Sequence, residues 1–200
     1  MEFLVTEAMA AERTPDLVRA GDALGLPRSF VELGPYGVGD RADLERYLAE
    51  FTVQFFSVDE LARPNHPEKA AEAGFDELIP PLHLWPWTML VLTIGDRMRA
   101  AVGASVRLRN LWRPMSYNRL VARSGIESDH PNAAAGDFDF SSSNQRRTAE
   151  AVVRALAADS PELELSVGFG ARSLHVGSLS PGGHRHWFYD SYPDERTPLR

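Results

Sequence analysis

The sequence predicts an α+β domain, because helical periodicity fills its first hundred residues, strand-like alternation takes over after Gly103, and the two do not interleave as βαβ units would. Its 200 residues, 44% of them hydrophobic, are enough for one compact domain with its own core. Residues 1–50 read as a loosely attached helical lead-in, and residues 51–200 as the domain proper.

Asp16 to Leu24 carries a short helical signal, followed by a loop at Leu33-Gly34-Pro35-Tyr36-Gly37-Val38-Gly39. Asp40 is placed to cap a helix from Arg41 towards Phe51, with Leu44, Tyr47, Leu48 and Phe51 on one face. Ser57 followed by Glu60 has capping-box spacing, and Pro64 and Pro67 then interrupt the chain before a helical Glu68 to Ala73. A long core helix is expected from about Leu84, with Pro86 in its first turn and Met89, Leu90, Leu92, Ile94, Met98 and Val102 facing inward.

Beyond Gly103, Ala104 to Asn110 alternates like a strand, Ser116 to Ala122 suits a short helix, and Ala134 to Phe140 suits a strand. A second long helix should run from Ser142 to Ala158 with Ala149, Val152, Val153 and Leu156 inward. Leu163 to Phe169, Ser173 to Val176 and Trp187 to Tyr189 read as strands.

Composition removes several function classes. With 28 acidic against 21 basic residues and a net charge of -7, the chain lacks the basic surface that nucleic acid requires. It has no cysteine, so any metal must be held by nitrogen and oxygen. Its most apolar stretch, Leu82 to Ile94, is too short to span a bilayer, and the acidic start Met1 to Glu7 does not read as an export signal.

The chemistry concentrates near the end. His130 and Asp137 lie seven residues apart, and His175 follows in Ser173-Leu174-His175-Val176. Two imidazoles and a carboxylate suit a catalytic zinc whose fourth position stays open for water. Asp137 and Asp139 should share a side-chain direction in an extended strand, so that one ligates while the other orients. His130, in a polar loop, is by itself read as a solvent-exposed histidine, and His175, between two apolar neighbours, as a structural one. His184 and His186 lie near Trp187, where a hairpin on Ser180-Pro181-Gly182-Gly183 would bring them to His175. An iron oxygenase triad is a rival reading of two histidines and a carboxylate, disfavoured by the helical first half.

These residues resemble the zinc D,D-carboxypeptidase and related peptidoglycan endopeptidase family, whose fold is shared with the Hedgehog signalling domain. The family signature Ser-x-His-x-x-Gly-x-Ala-x-Asp is matched by Ser128, His130, Ala135 and Asp137, with Ala133 in place of the glycine. Asn110 to Asn118 resembles the family's upstream Ser-Gly-Tyr-Arg-Ser-x-x-Tyr-Asn segment, which puts Arg113 at its substrate-binding arginine. Phe56 to Leu61 with Ala71 to Phe75 and Pro80-Pro81 resembles its entry region, and Gly168 to Val176 with Trp187 its last strands.

The resemblance covers roughly Phe51 to Tyr189. It implies a small antiparallel sheet packed with helices, zinc on His130, Asp137 and His175, and hydrolysis of an amide in a peptidoglycan stem peptide or cross-link. It further implies substrate contacts from Arg113, Tyr117, Asn118 and Ser128. Where many relatives carry an aspartate this chain has Gly177, and where some carry a histidine base it has Ser173. The base is therefore sought among His184, His186, Asp139 and Asp190. Absence of a working base would leave a module that binds cell-wall peptide or a protein partner without cleaving it.

Overall fold

The computed structural model describes residues 4–37, 39–121, 128–194 and 196–199. It is mixed α+β, with helices α1 (Glu7–Glu12), α2 (Thr14–Leu24), α3 (Arg41–Glu50), α4 (Val58–Ala62), α5 (Pro67–Glu72), α6 (Trp85–Val102), α7 (Met115–Val121) and α8 (Ser143–Asp159). Strands β1 (Arg107–Asn110), β2 (Ala135–Asp139), β3 (Ser166–Phe169), β4 (Ser173–Gly177) and β5 (Arg185–Phe188) form one sheet in the order β1-β2-β4-β3-β5.

The helix starts follow the capping residues. Asp40, Ser57 and Ser142 each accept the backbone N–H three residues on, at Asp43, Glu60 and Gln145. Each such cap stabilises its helix by about 1 kcal/mol. Glu60 does not complete a capping box. Its carboxylate instead accepts the Leu108 N–H at 2.9 Å, tying α4 to the sheet edge. The helix expected over Ser116 to Ala122 is α7, and Ala122 lies outside the described residues.

α6 is the central helix. Trp85, Trp87, Met89, Leu90, Leu92, Ile94 and Met98 are buried on it, and full burial of a large apolar side chain contributes about 1.5–3 kcal/mol. Gly95 of α6 lies so close to Phe56 and Phe138 that a Cβ there would sit 2.8 and 2.9 Å from their rings. That contact seats the helix on β2.

Residues 1–50 are not a loose lead-in where they are described. Leu17, Ala20, Phe30, Leu44 and Tyr47 belong to the same buried core as α6 and the sheet. The Tyr47 hydroxyl donates to Phe30 O at 2.7 Å, and Arg97 of α6 donates to Leu24 O at 2.8 Å. Short helices with few apolar residues each look detachable in sequence, whereas their apolar sides converge on one helix.

Register decides which side chains share a face, since successive residues of a strand alternate sides. Leu108, Phe138, Leu174, Phe169 and Phe188 align across all five strands and form an apolar row. On the other face Asn110, Asp137, His175, Gly168 and Trp187 align in the same way. Among these pairings β3 with β5 is parallel, so the sheet departs from the all-antiparallel expectation. Among the described residues, no helix is long and apolar enough to cross a membrane.

Candidate metal centre

The polar row is where the expected ligands meet. Asp137 and His175 are directly paired partners on β2 and β4, and His175 Nδ1 lies 3.0 Å from Asp137 Oδ1. His130 reaches the same carboxylate from a tight turn, His130–Asn132, that covers this face, with Nε2 at 3.3 Å from Oδ2. The three donor atoms lie within 4.8 Å of one another. All three residues are buried, so neither the solvent-exposed reading of His130 nor the purely structural reading of His175 describes its place in this cluster.

His130 Nδ1 sits 2.7 Å from Leu111 O, an oxygen that can only accept, so Nδ1 carries the proton. Nε2 of the neutral ring then presents a lone pair to a carboxylate oxygen, and it is buried with no hydrogen-bond partner. Burial pushes the His130 pKa down, and the charge of Arg113 acts in the same direction, which keeps the ring neutral. Two facing lone pairs in a buried site repel unless a cation stands between them. The group fits a metal ion on this ground.

Asp137 is held well below the usual carboxylate range, because the nearby His130 and the hydrogen bond and charge of His175 outweigh the upward push of burial. Asn110 Nδ2 donates to its Oδ2 at 2.9 Å. His175 is pushed up, since hydrogen bonds to Asp129 and Asp137 outweigh the burial that would lower it. Asp139 faces the same side two residues on, paired with Ser173, and Arg109 Nη1 stands 3.3 Å from its Oδ1. Arg109 is the extra residue where the β1–β2 register shifts between Leu108 and Asn110, and this irregularity aims it at both carboxylates, Nη2 lying 3.9 Å from Asp137 Oδ2.

No family model, no curated protein and no solved structure matches the chain. The site therefore has to be read from its own geometry.

That geometry sorts the expected site residues. Arg113 lies in the turn between β1 and α7, its N–H donating to His130 O at 3.2 Å and its Nε buried without a partner. Burial lowers its pKa while the charge of Asp137 raises it, which places the guanidinium within electrostatic reach of the ligands. Ser128 is half-buried just before the His130 turn. Tyr117 and Asn118 are both buried on α7; the Tyr117 hydroxyl accepts the His66 N–H at 3.1 Å, and Asn118 Oδ1 has no hydrogen-bond partner.

His184 and His186 are not brought to His175. β3 lies between β4 and β5, so no hairpin pairs those two strands. His186 aligns with Val167, Val176 and Gly136, which puts it on the opposite face from His175, with its ring 6.0 Å from Phe188. His184 is exposed in the preceding loop, and Asp190 is exposed beyond β5. Asp139 alone of the four base candidates shares the ligand face.

Trp187 and Asp129 complete the site. Trp187 lies beside His175 with ring centroids 5.1 Å apart, and it covers Gly168 so closely that a Cβ there would meet the indole at 2.5 Å. Asp129 is buried and bonded to three side chains, described below. No local signal in the sequence points to it, because its three partners lie far along the chain.

Proposed function

We propose that the chain is a zinc peptidase of the D,D-carboxypeptidase type, with the Hedgehog/DD-peptidase fold, acting on amide bonds of peptidoglycan stem peptides or cross-links. The observation that carries this reading is the buried, unpartnered lone pair of His130 Nε2 facing Asp137, with His175 Nδ1 completing a three-donor set. Three nitrogen and oxygen donors without a thiolate suit zinc, with one position left for water or substrate.

A second observation supports the family likeness. Ala133 adopts the left-handed region at φ 51°, ψ 17°, immediately after the His130 turn. The family signature reserves that position for glycine, and the left-handed region costs a residue with a Cβ about 1–2 kcal/mol. The spacing of His130 and Asp137 thus comes with the backbone bend that a glycine would ease.

Zinc held by His130, Asp137 and His175 would supply Lewis-acid polarisation of the scissile carbonyl and of water. Arg113 is placed to hold a substrate carboxylate or brace the charge that develops on the carbonyl oxygen, using a planar fork that lysine lacks. Asp139, on the same face, is the residue assigned to accept and return the proton, and Arg109 holds it in place. Trp187 walls the site on the β5 side and keeps water from the back of His175.

The test is direct. Protein purified without a histidine tag should carry about one zinc and cleave muropeptides, and His130→Ala or Asp137→Ala should remove both properties. Full activity in zinc-free protein would sink the proposal. The ion contact between Arg109 and Asp139 favours one alternative, a module that binds such peptides with its base neutralised. Zinc uptake and peptide binding with no hydrolysis, in wild type and in Arg109→Gln alike, would favour that alternative.

A further inference from the structure

Behind His175, on the side away from Asp137, stands a second carboxylate that the proposed chemistry leaves idle. Asp129 Oδ2 lies 3.4 Å from His175 Nε2 and accepts the Ser166 hydroxyl at 2.7 Å. Its other oxygen, Oδ1, accepts from Arg185 Nη2 at 2.7 Å. The side chain is 2% exposed.

The surroundings are shaped for this carboxylate. Ala135, Gly177, Ser166 and Arg185 align as the next row on the ligand face, beside the row that carries Asp137 and His175. A Cβ at Gly177 would meet Ser166 Oγ at 2.3 Å and Ala134 O at 2.9 Å, so position 177 has to be glycine for the serine hydroxyl to reach Asp129. There is no room for the aspartate that the family resemblance leads one to look for at 177. The main chain of Asp129 also takes part, its carbonyl accepting the N–H groups of Asn132 and Ala134 at 3.2 and 3.4 Å and closing the turn that carries His130.

We infer that Asp129 is the positioning residue of the metal centre: it takes the Nε2 proton of His175 as a hydrogen bond, and so turns the Nδ1 lone pair towards Asp137 and the ion. This rests on the metal reading above. The physical reason is the one that applies to histidine ligands generally, where an acceptor on the far nitrogen selects the tautomer, fixes the ring and makes the ligating nitrogen more basic. Ser166 and Arg185 hold the carboxylate from the other side, so that the acceptor itself does not swing. The arrangement assigns different ligating atoms to the two histidines, Nε2 on His130 and Nδ1 on His175, each set by the acceptor of the opposite nitrogen, Leu111 O and Asp129 respectively.

The deciding measurement needs no variant. In zinc-loaded protein with isotope-labelled histidine, long-range proton–nitrogen correlations should show His175 protonated at Nε2 and His130 at Nδ1; His175 protonated at Nδ1 would overturn the inference. Competition with a chelator should then show zinc affinity falling about 10-fold in Asp129→Asn and about 100-fold in Asp129→Leu. Unchanged affinity in folded Asp129→Asn, alongside zinc binding by the wild type, would reduce Asp129 to a structural acid and leave the metal reading standing. A wild type that takes up no zinc would remove the metal reading, and this inference with it. Should Asp129→Leu fail to fold, the wild-type tautomer and Asp129→Asn still decide.

Discussion

Two buried groups of charged side chains behave differently in this molecule. On α8 and the C-terminal segment, Arg146 bonds Glu150 and Asp194, while Glu150 also receives Arg154 and the Tyr192 hydroxyl, so that cation and anion alternate. Apart from Arg146 Nε, that network is closed. At His130 and Asp137, by contrast, an acceptor faces an acceptor, and the unpaired atom, His130 Nε2, lies inside the cluster. Buried charge that is matched within the chain holds a segment down. Buried lone pairs that converge unmatched describe a place for something from outside.

The largest expected difference between the two groups is their response to metal. Free zinc at about a thousand times its dissociation constant should stabilise the wild type by about 4 kcal/mol, which raises the melting temperature by about 8–16 °C for a chain of this size. Asp137→Ala should show no zinc-dependent shift, and an equal shift in that variant would place the ion elsewhere. Arg146→Met should do the converse: it strips Glu150 and Asp194 of a buried partner and costs about 3 kcal/mol in urea unfolding, with zinc affinity unchanged. A loss of zinc affinity in Arg146→Met would mean the two groups are coupled.

Gly168→Ala sharpens the boundary of the candidate metal centre. Its methyl would lie 2.5–2.7 Å from the Trp187 indole, so the indole must move off His175 at a cost of about 2 kcal/mol, visible as a change in tryptophan fluorescence. Wild-type stability with an unshifted spectrum would show that Trp187 is not held against the site.

The smallest effect is one of pH. The hydrogen bond from Arg146 holds Asp194 below its ordinary value of 3.8. A depressed carboxyl contributes stability above the unfolded value and loses it as pH falls through the folded one, because the unfolded chain binds the proton first. Urea midpoints measured between pH 5 and pH 3 should therefore fall more steeply in the wild type than in Asp194→Asn. Parallel slopes would remove Asp194 from the network's energetics.

What could be read from the sequence follows the range of the interactions. Helix starts at Asp40, Ser57 and Ser142 depend on a hydroxyl or carboxylate and an N–H three residues away, and they stand where the sequence places them. The α+β division and the polar parity of Asp137 with Asp139 are equally local. The order of the strands is not local: β3 inserts between β4 and β5, and that one fact removes His186 from the site although its spacing from His175 looked favourable. Tyr117 and Asn118 look polar and available in sequence, yet α7 turns both inward. Asp129 was hidden for the same reason, since its three partners lie 37, 46 and 56 residues further on.

The turn carrying His130 has one more tie. The Val5 N–H donates to Asn132 Oδ1 at 2.7 Å, and His83 bonds the Val5 carbonyl at 3.1 Å. Contributions to the centre and its turn thus come from residue 5 through Arg185, nearly the whole length of the chain. Such long loops close late, after local helices have formed. Zinc uptake during refolding should therefore trail the recovery of helical signal, and a ribosome-bound chain lacking β4 and β5 has no centre to load. Metal capture would then report that β4 and β5 have joined the sheet.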